Sequence, residues 1–286
     1  MSQGRFFRWI RRMTFVLAFA PALAMPQGAN PAFEPQIGQA GKDVIWVPTP
    51  DFVVERMLQM TQVGPQDYVV DLGSGDGRTV ITAVKKFGAR SLGIEYNPDM
   101  VALSQRNAER AGVSERAKFL QGDIFATDFS QATVVTMYLL PDLNLRLRPK
   151  LLDMKPGTRL ASHQFSMAEW QPDEVSDFEG RSVYFWIVPA KVEGNWRLTI
   201  DGKTEFRLNF TQRFQMIEGG IALPESRRLG IRDASLRGDR IGFAFVDQHG
   251  VLREFSGRVN GDVIEGSISA DGKSAGRFRA QRAAST

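Results

Sequence analysis

Three carboxylates and a run of glycines are the residues whose spacing can do chemistry. Asp71 stands just before Gly73-Ser74-Gly75-Asp76-Gly77, Glu95 follows 18 residues after Gly77, and Asp123 lies within Gln121-Gly-Asp-Ile-Phe125. Glycines let a backbone turn sharply and approach a ligand closely, which leaves the amides at a helix start free to bind it. A carboxylate at the end of the next strand is placed to accept two hydrogen bonds from ribose hydroxyls. Gly-x-Gly-x-Gly departs from the Gly-x-Gly-x-x-Gly of pyrophosphate binders, and Asp76 would repel a phosphate. The expected ligand therefore carries a ribose and cationic groups. No metal-ligand spacing or hydroxyl-nucleophile motif is visible.

These residues need strands that end beside one another. Residues 68–72 form a short β-branched run feeding the glycine loop, followed by a helical pattern over 78–87 closed by Gly88. Next come a strand at 91–95, a cap at Asn97-Pro98, a helix at 99–111 and strands at 117–120, 132–138, 158–163 and 182–188. Thr49-Pro50 reads as helix cap and first helical position, ahead of the stripe Phe52, Val53, Met57 and Met60. Only one strand is evident after His163, so no terminal hairpin is expected. The alternation predicts an α/β fold, a doubly wound and mostly parallel Rossmann-like sheet with its ligand at the carboxyl ends of the strands. There Asp71, Glu95 and Asp123 meet, a setting suited to the sulfonium and ammonium of S-adenosyl-L-methionine.

The segment Val69-Val-Asp-Leu-Gly-Ser-Gly-Asp-Gly-Arg78 resembles motif I of the class I S-adenosylmethionine-dependent methyltransferases. Together with Ile45-Trp-Val-Pro-Thr-Pro50, Gly93-Ile-Glu-Tyr-Asn-Pro98, residues 132–140, Lys150 and Ser162-His-Gln-Phe165, it resembles the archaeal and mitochondrial protein lysine methyltransferases over about residues 43 to 188. The resemblance implies that Thr49, Asp71, Gly73, Gly75, Glu95, Asn97 and Asp123 line the cofactor site; Ser74, Gly77 and Ile124 complete the expected set. It places Tyr138-Leu-Leu140 near the transferring methyl. Trp46 departs from a Tyr common in the relatives, and Pro141-Asp142 departs after the fourth strand. Methyl transfer is an in-line displacement that needs an uncharged amine close to the methyl. An apolar aromatic site lowers a lysine pKa by desolvation, and Tyr138, Phe165 and Trp170 are the candidates to supply it. His163, one of two histidines, is the candidate base and also an ordinary core residue.

The remaining chain sets the context. Residues 1–24 hold Arg5, Arg8, Arg11 and Arg12 and no acid, so removing these four from 36 basic residues leaves 32 against 32 acidic ones. The neutral balance argues against a nucleic-acid partner. A basic stretch, the apolar run 13–24 and Ala22-Leu-Ala24 have the layout of a signal peptide, with membrane anchoring as the alternative. Export or membrane association is expected, a cytoplasm-facing anchor being the other arrangement. The absence of cysteine excludes disulfides and thiol catalysis. A linker at 25–42 precedes a methyltransferase domain at 43–190. Residues 191–286 shift to period-two runs with Asp201-Gly202, Asn260-Gly261 and Asp271-Gly272 turns, which predicts a small antiparallel all-β domain with a vague lipocalin-like character. The leading expectation is methylation of a protein with an accessible lysine. The alternatives are a small-molecule methyltransferase and a non-catalytic exported protein whose β domain captures an apolar ligand.

Overall fold

A computed structural model describes Met1 and residues 33–202, 204–222 and 228–284. Beyond Met1, the leader read at 1–24 lies outside the described residues, as does the linker up to residue 32. The described residues from Glu34 onward form one compact unit.

The first sheet is built around β1 (Tyr68–Leu72), whose last four residues are buried on both faces. Parallel strands covered on both sides read as unbroken apolar runs, and Val69 and Val70 turn to opposite faces. On one face Val69 packs with Val54 and Leu58 of α1 (Asp51–Met60) and Ala83 of α2 (Arg78–Phe87). On the other, Val70 packs with Leu143, Leu147 and Leu151 of α4 (Pro141–Leu152). With β2 (Arg90–Glu95), α3 (Pro98–Arg110), β3 (Ala117–Gln121), β4 (Val134–Met137) and β5 (Arg159–His163), five parallel strands place their carboxyl ends on one side.

Beyond β5, the expectation of a missing hairpin is corrected. β6 (Glu174–Phe178) and β7 (Arg181–Ile187) pair antiparallel through the turn Glu179-Gly180, giving the sheet order β3-β2-β1-β4-β5-β7-β6. β6 escapes sequence reading because it is an edge strand, with Glu174 and Asp177 among its five residues and both of its apolar side chains exposed. A second correction concerns Thr49. Pro50 is the residue that caps α1, without a side-chain hydrogen bond, and the Thr49 hydroxyl instead lies 3.3 Å from His163 Nδ1. The departure Pro141-Asp142 opens α4, with Leu140 at its cap.

A nine-stranded antiparallel sheet follows, comprising β8 (Gly194–Ile200), β9 (Thr204–Arg213), β10 (Met216–Ala222), β11 (Arg228–Gly230), β12 (Arg232–Arg237), β13 (Arg240–Val246), β14 (Leu252–Asn260), β15 (Val263–Ala270) and β16 (Lys273–Arg282). β10 lies beside β12, so the sheet nearly closes on itself. Aromatic side chains fill its interior, including Trp196, Phe210, Phe245 and a stacked Phe243–Phe255 pair at 4.8 Å. Among the described residues this interior is a packed core. The two sheets join through Phe214, which stacks on Trp170 at 6.0 Å, and through the Ala190 amide, which donates to the Gly238 carbonyl.

Candidate active site

At the carboxyl ends of β1, β2 and β4 lies a cavity of about 280 Å³. Its floor is the glycine loop, tied to β2 because the Gly73 and Ser74 amides both donate to the Ile94 carbonyl. Gly75 has φ +53°, and a Cβ there would stand 2.7 Å from the Trp46 indole nitrogen. A side chain at 75 would therefore be strained by the backbone and would push Trp46 off the loop. Gly77 is corrected: it does not line the cavity. A Cβ at Gly77 would meet Phe119 at 2.7 Å and Ser104 at 2.8 Å, so this glycine lets α2 approach β3 and α3.

Glu95 closes the loop from the next strand. One carboxylate oxygen accepts from the Gly75 amide at 3.0 Å and the other from the Asn97 amide at 2.9 Å. Asn97 in turn caps α3, its side-chain oxygen accepting from the Asp99 amide. On the far side Asp123 accepts from the Phe125 amide and pairs with Lys42 at 2.7 Å, which holds its carboxyl below the usual range. Ile124 lies next to it on the cavity wall. Lys150 braces this loop from α4, its ammonium donating to the carbonyls of Thr127 and Phe125.

A strap covers the opening. Trp46 and Gln39 pair through the Trp46 amide, Lys42 sits 4.8 Å over the Tyr96 ring, and Arg78 donates to the Thr49 carbonyl. Sequence reading assigned Lys42 to a linker and marked Trp46 only as a departure from a Tyr common in the relatives. Their contacts carry no local signal, since the strap crosses strands 30 to 80 residues away. Asp76, expected to act on the ligand's charge, is instead paired with Arg78 at 2.7 Å.

Asp71 is the charge left for a cation. It is 5% exposed and accepts from Thr136 at 2.6 Å, with Thr79 as a second donor. Thr136 was legible in principle, because it is the β4 residue in register with Asp71. Burial pushes the Asp71 carboxyl from 3.8 up to about 7, Asp76 and Glu95 adding to the rise and the two threonines opposing it. A raised carboxyl contributes stability that is full below pH 4 and is lost as pH rises through about 7. A cationic ligand selects the ionised form. Affinity for such a ligand is thus expected to climb as pH rises from 6 to 8, with proton release on binding near pH 7, and Asp71→Asn should flatten the profile. Calorimetry in buffers of different ionisation enthalpy checks this.

The inner end of the cavity is apolar. Tyr138, Leu139, Leu140, Leu143 and Phe165 line it, the Tyr138 and Phe165 rings stacked at 6.2 Å. His163 lies behind Tyr138, ring to ring at 4.0 Å, fully buried and outside the cavity lining. Burial and Arg181 push its pKa down to about 4, so it is neutral at pH 7 and orients Thr49 and Tyr138 from behind. Trp170 is also corrected. It is buried in the core against Trp186 and Phe214, away from the cavity, because the second sheet supplies a ring to stack on it.

The residues present fit S-adenosylmethionine: a carboxylate beside Gly75 for a ribose, a buried Asp71 without a cationic partner among the described residues, and an apolar end for the methyl. A parallel sheet of this order, closed by an antiparallel β7 and carrying that cradle, defines a class I methyltransferase. A family model described as ANTKMT methyltransferase domain matches residues 71–174. A protein-lysine N-methyltransferase of Saccharolobus islandicus is 44% identical over 151 residues, covering 51% of this chain and 94% of the relative. The mouse adenine nucleotide translocase lysine N-methyltransferase is 33% identical over 42% of this chain, which spans about half (52%) of that relative. A solved structure titled as an RNA methyltransferase from Salinibacter ruber, in complex with S-adenosyl-L-homocysteine, is 50% identical, with a TM-score of 0.51 over 51% of this chain and 96% of that one. The chain belongs to the class I S-adenosylmethionine-dependent methyltransferases, in the protein-lysine N-methyltransferase family, and its cofactor is S-adenosylmethionine.

Proposed function

We propose that this enzyme transfers methyl groups to the ε-amine of lysine in a protein acceptor. The observation that carries this reading is the apolar end of the cavity, where Tyr138, Leu139, Leu140 and Phe165 surround the place an acceptor must reach. When bound, the cofactor supplies an electrophilic methyl on a sulfonium. The chain has then to deliver an unprotonated amine, and desolvation by this aromatic and aliphatic wall lowers a lysine pKa toward neutrality. Neutral His163 holds the Tyr138 ring and the Thr49 hydroxyl in place, and the strap carrying Trp46 limits water. No strong base is needed once the amine arrives uncharged.

The lysine-modifying relatives support a protein acceptor. The name of the solved relative favours RNA as a second reading, against which stand the lysine-modifying relatives and the balance of 32 basic and 32 acidic residues beyond residue 24. Incubation with methyl-labelled cofactor and a delipidated extract, beside Asp71→Ala and Glu95→Ala, separates the two. Protein-bound label resistant to ribonuclease is expected; ribonuclease-sensitive label would overturn the proposal. For residues 1–24 the proposal is export or membrane anchoring, with the first 24 residues absent from the native protein's intact mass in the case of export.

A further inference from the structure

We propose that the free edge of β6 is the docking strand for the acceptor protein, which adds to the sheet as an extended segment and then crosses to the cavity. The inference rests on the lysine reading above. β6 ends the sheet, and among the described residues no strand pairs with its outer side. Its hairpin turns through Glu179 and Gly180, both at positive φ, as a two-residue turn of the type that makes Phe178 and Arg181 a mutually bonded pair. Alternation then leaves the amides and carbonyls of Val175 and Asp177 facing outward. Such an unpaired row is a template for another strand.

Three further observations agree on the occupant. First, β6 runs parallel to β5, because each pairs antiparallel with β7, so its Phe178 end lies on the same side of the sheet as the cavity. Second, that end carries exposed apolar surface. Phe178 is 49% exposed and Phe52 36%, the two rings meeting edge to face at 5.5 Å. Phe52 follows Thr49, a residue of the cavity wall, by three residues, and Val47 on that wall is itself exposed. Third, the charge is complementary to a lysine-bearing chain. Asp177 and Glu179 are exposed on the hairpin, while Asp173 is tied to the Ile187 amide, Arg56 answers Glu174 and Arg181 stands opposite Phe178.

Geometry sets a spacing. From an added strand to β4 is four strand intervals of about 4.8 Å, or about 19 Å. The lysine side chain spans about 6 Å of this, so about four extended residues at about 3.3 Å each bridge the rest. The methylated lysine is thus expected four or five residues beyond the docked segment.

The test uses the full chain and two acceptors: Nα-acetyl-lysine amide, and a peptide with an alternating Val-Thr segment followed five residues later by one lysine. The peptide is expected to have a KM at least tenfold lower than the amide. Phe178→Ser and Asp177→Pro should erase that advantage while leaving kcat, the KM for the amide and cofactor affinity unchanged. Backbone N-methylation of alternate residues in the Val-Thr segment should act like the variants. Equal KM values for the two acceptors, or an advantage that survives both variants, would overturn the proposal. So would a wild-type dimer that Phe178→Ser splits, since β6 would then be occupied by a second copy. Methylation of the amide alone leaves the lysine reading intact and removes the docking strand; methylation of neither removes both.

Discussion

Glu95→Ala is expected to weaken S-adenosylmethionine binding a hundredfold or more. The wild-type carboxylate is held between the Gly75 and Asn97 amides, each about 3 Å away, and faces the cavity where a ribose must sit. Hydrogen bonds to charged groups contribute about 1.5–3 kcal/mol each, so two to a ribose amount to about 3–6 kcal/mol, of which about 2.8 kcal/mol already gives the hundredfold. The alanine also leaves the two amides without their acceptor and lets the glycine loop move. Glu95→Gln is informative because both carboxylate oxygens accept from backbone N–H groups. The amide isostere must set its NH2 against one of them, so intermediate affinity is expected. Calorimetric titration checks both variants; a Glu95→Ala dissociation constant within threefold of wild type would sink the assignment.

Trp170→Ala is expected to lower unfolding stability by about 3–5 kcal/mol, the range for removing a buried aromatic ring. The indole is fully buried between Trp186 and Phe214, so its loss opens a void at the junction of the two sheets. Trp170→Phe keeps the stacking and should cost less. Its kcat and cofactor affinity should equal those of wild type, because the residue lies outside the cavity lining. A stability-neutral Trp170→Phe with a tenfold lower kcat would restore the acceptor role that its sequence position suggested. Denaturant melts and initial rates on the same preparations decide.

The reach of the sequence follows from how local each signal is. β1, the glycine loop and α2 were legible because a buried parallel strand is continuously apolar and the helix closes on Gly88, which sits in the left-handed conformation. Glu95 and Asn97 were legible for the same reason, lying one strand end and one cap away from Gly77. Non-local features were opaque. The Lys42–Asp123 pair joins residues 81 apart, and Trp170 looked like an acceptor aromatic until Phe214, from the second sheet, was found stacked on it. β6 was missed because its alternation is diluted by charge, with Glu174 and Asp177 among five residues and both apolar side chains exposed. His163 was legible as either base or core residue, and its position behind Tyr138 makes it a positioning group.

Asp71 ties the account together. A carboxylate this buried is costly without a counter-charge, and its raised pKa records that cost in the free protein. The cofactor's cations are the partners that would relieve it, while the apolar end a few residues away along β4 treats the acceptor amine in the opposite way, favouring its neutral form. In the proposed reaction one cavity thus keeps a cation at one end and discharges one at the other.

The most direct test of the central claim is amino-acid analysis of protein labelled by the full chain with methyl-labelled S-adenosylmethionine. Label recovered as Nε-methyl-lysine, and lost with Glu95→Ala, is the predicted result. Label recovered in methylated nucleosides or in an extractable small molecule, with none in lysine, would contradict it.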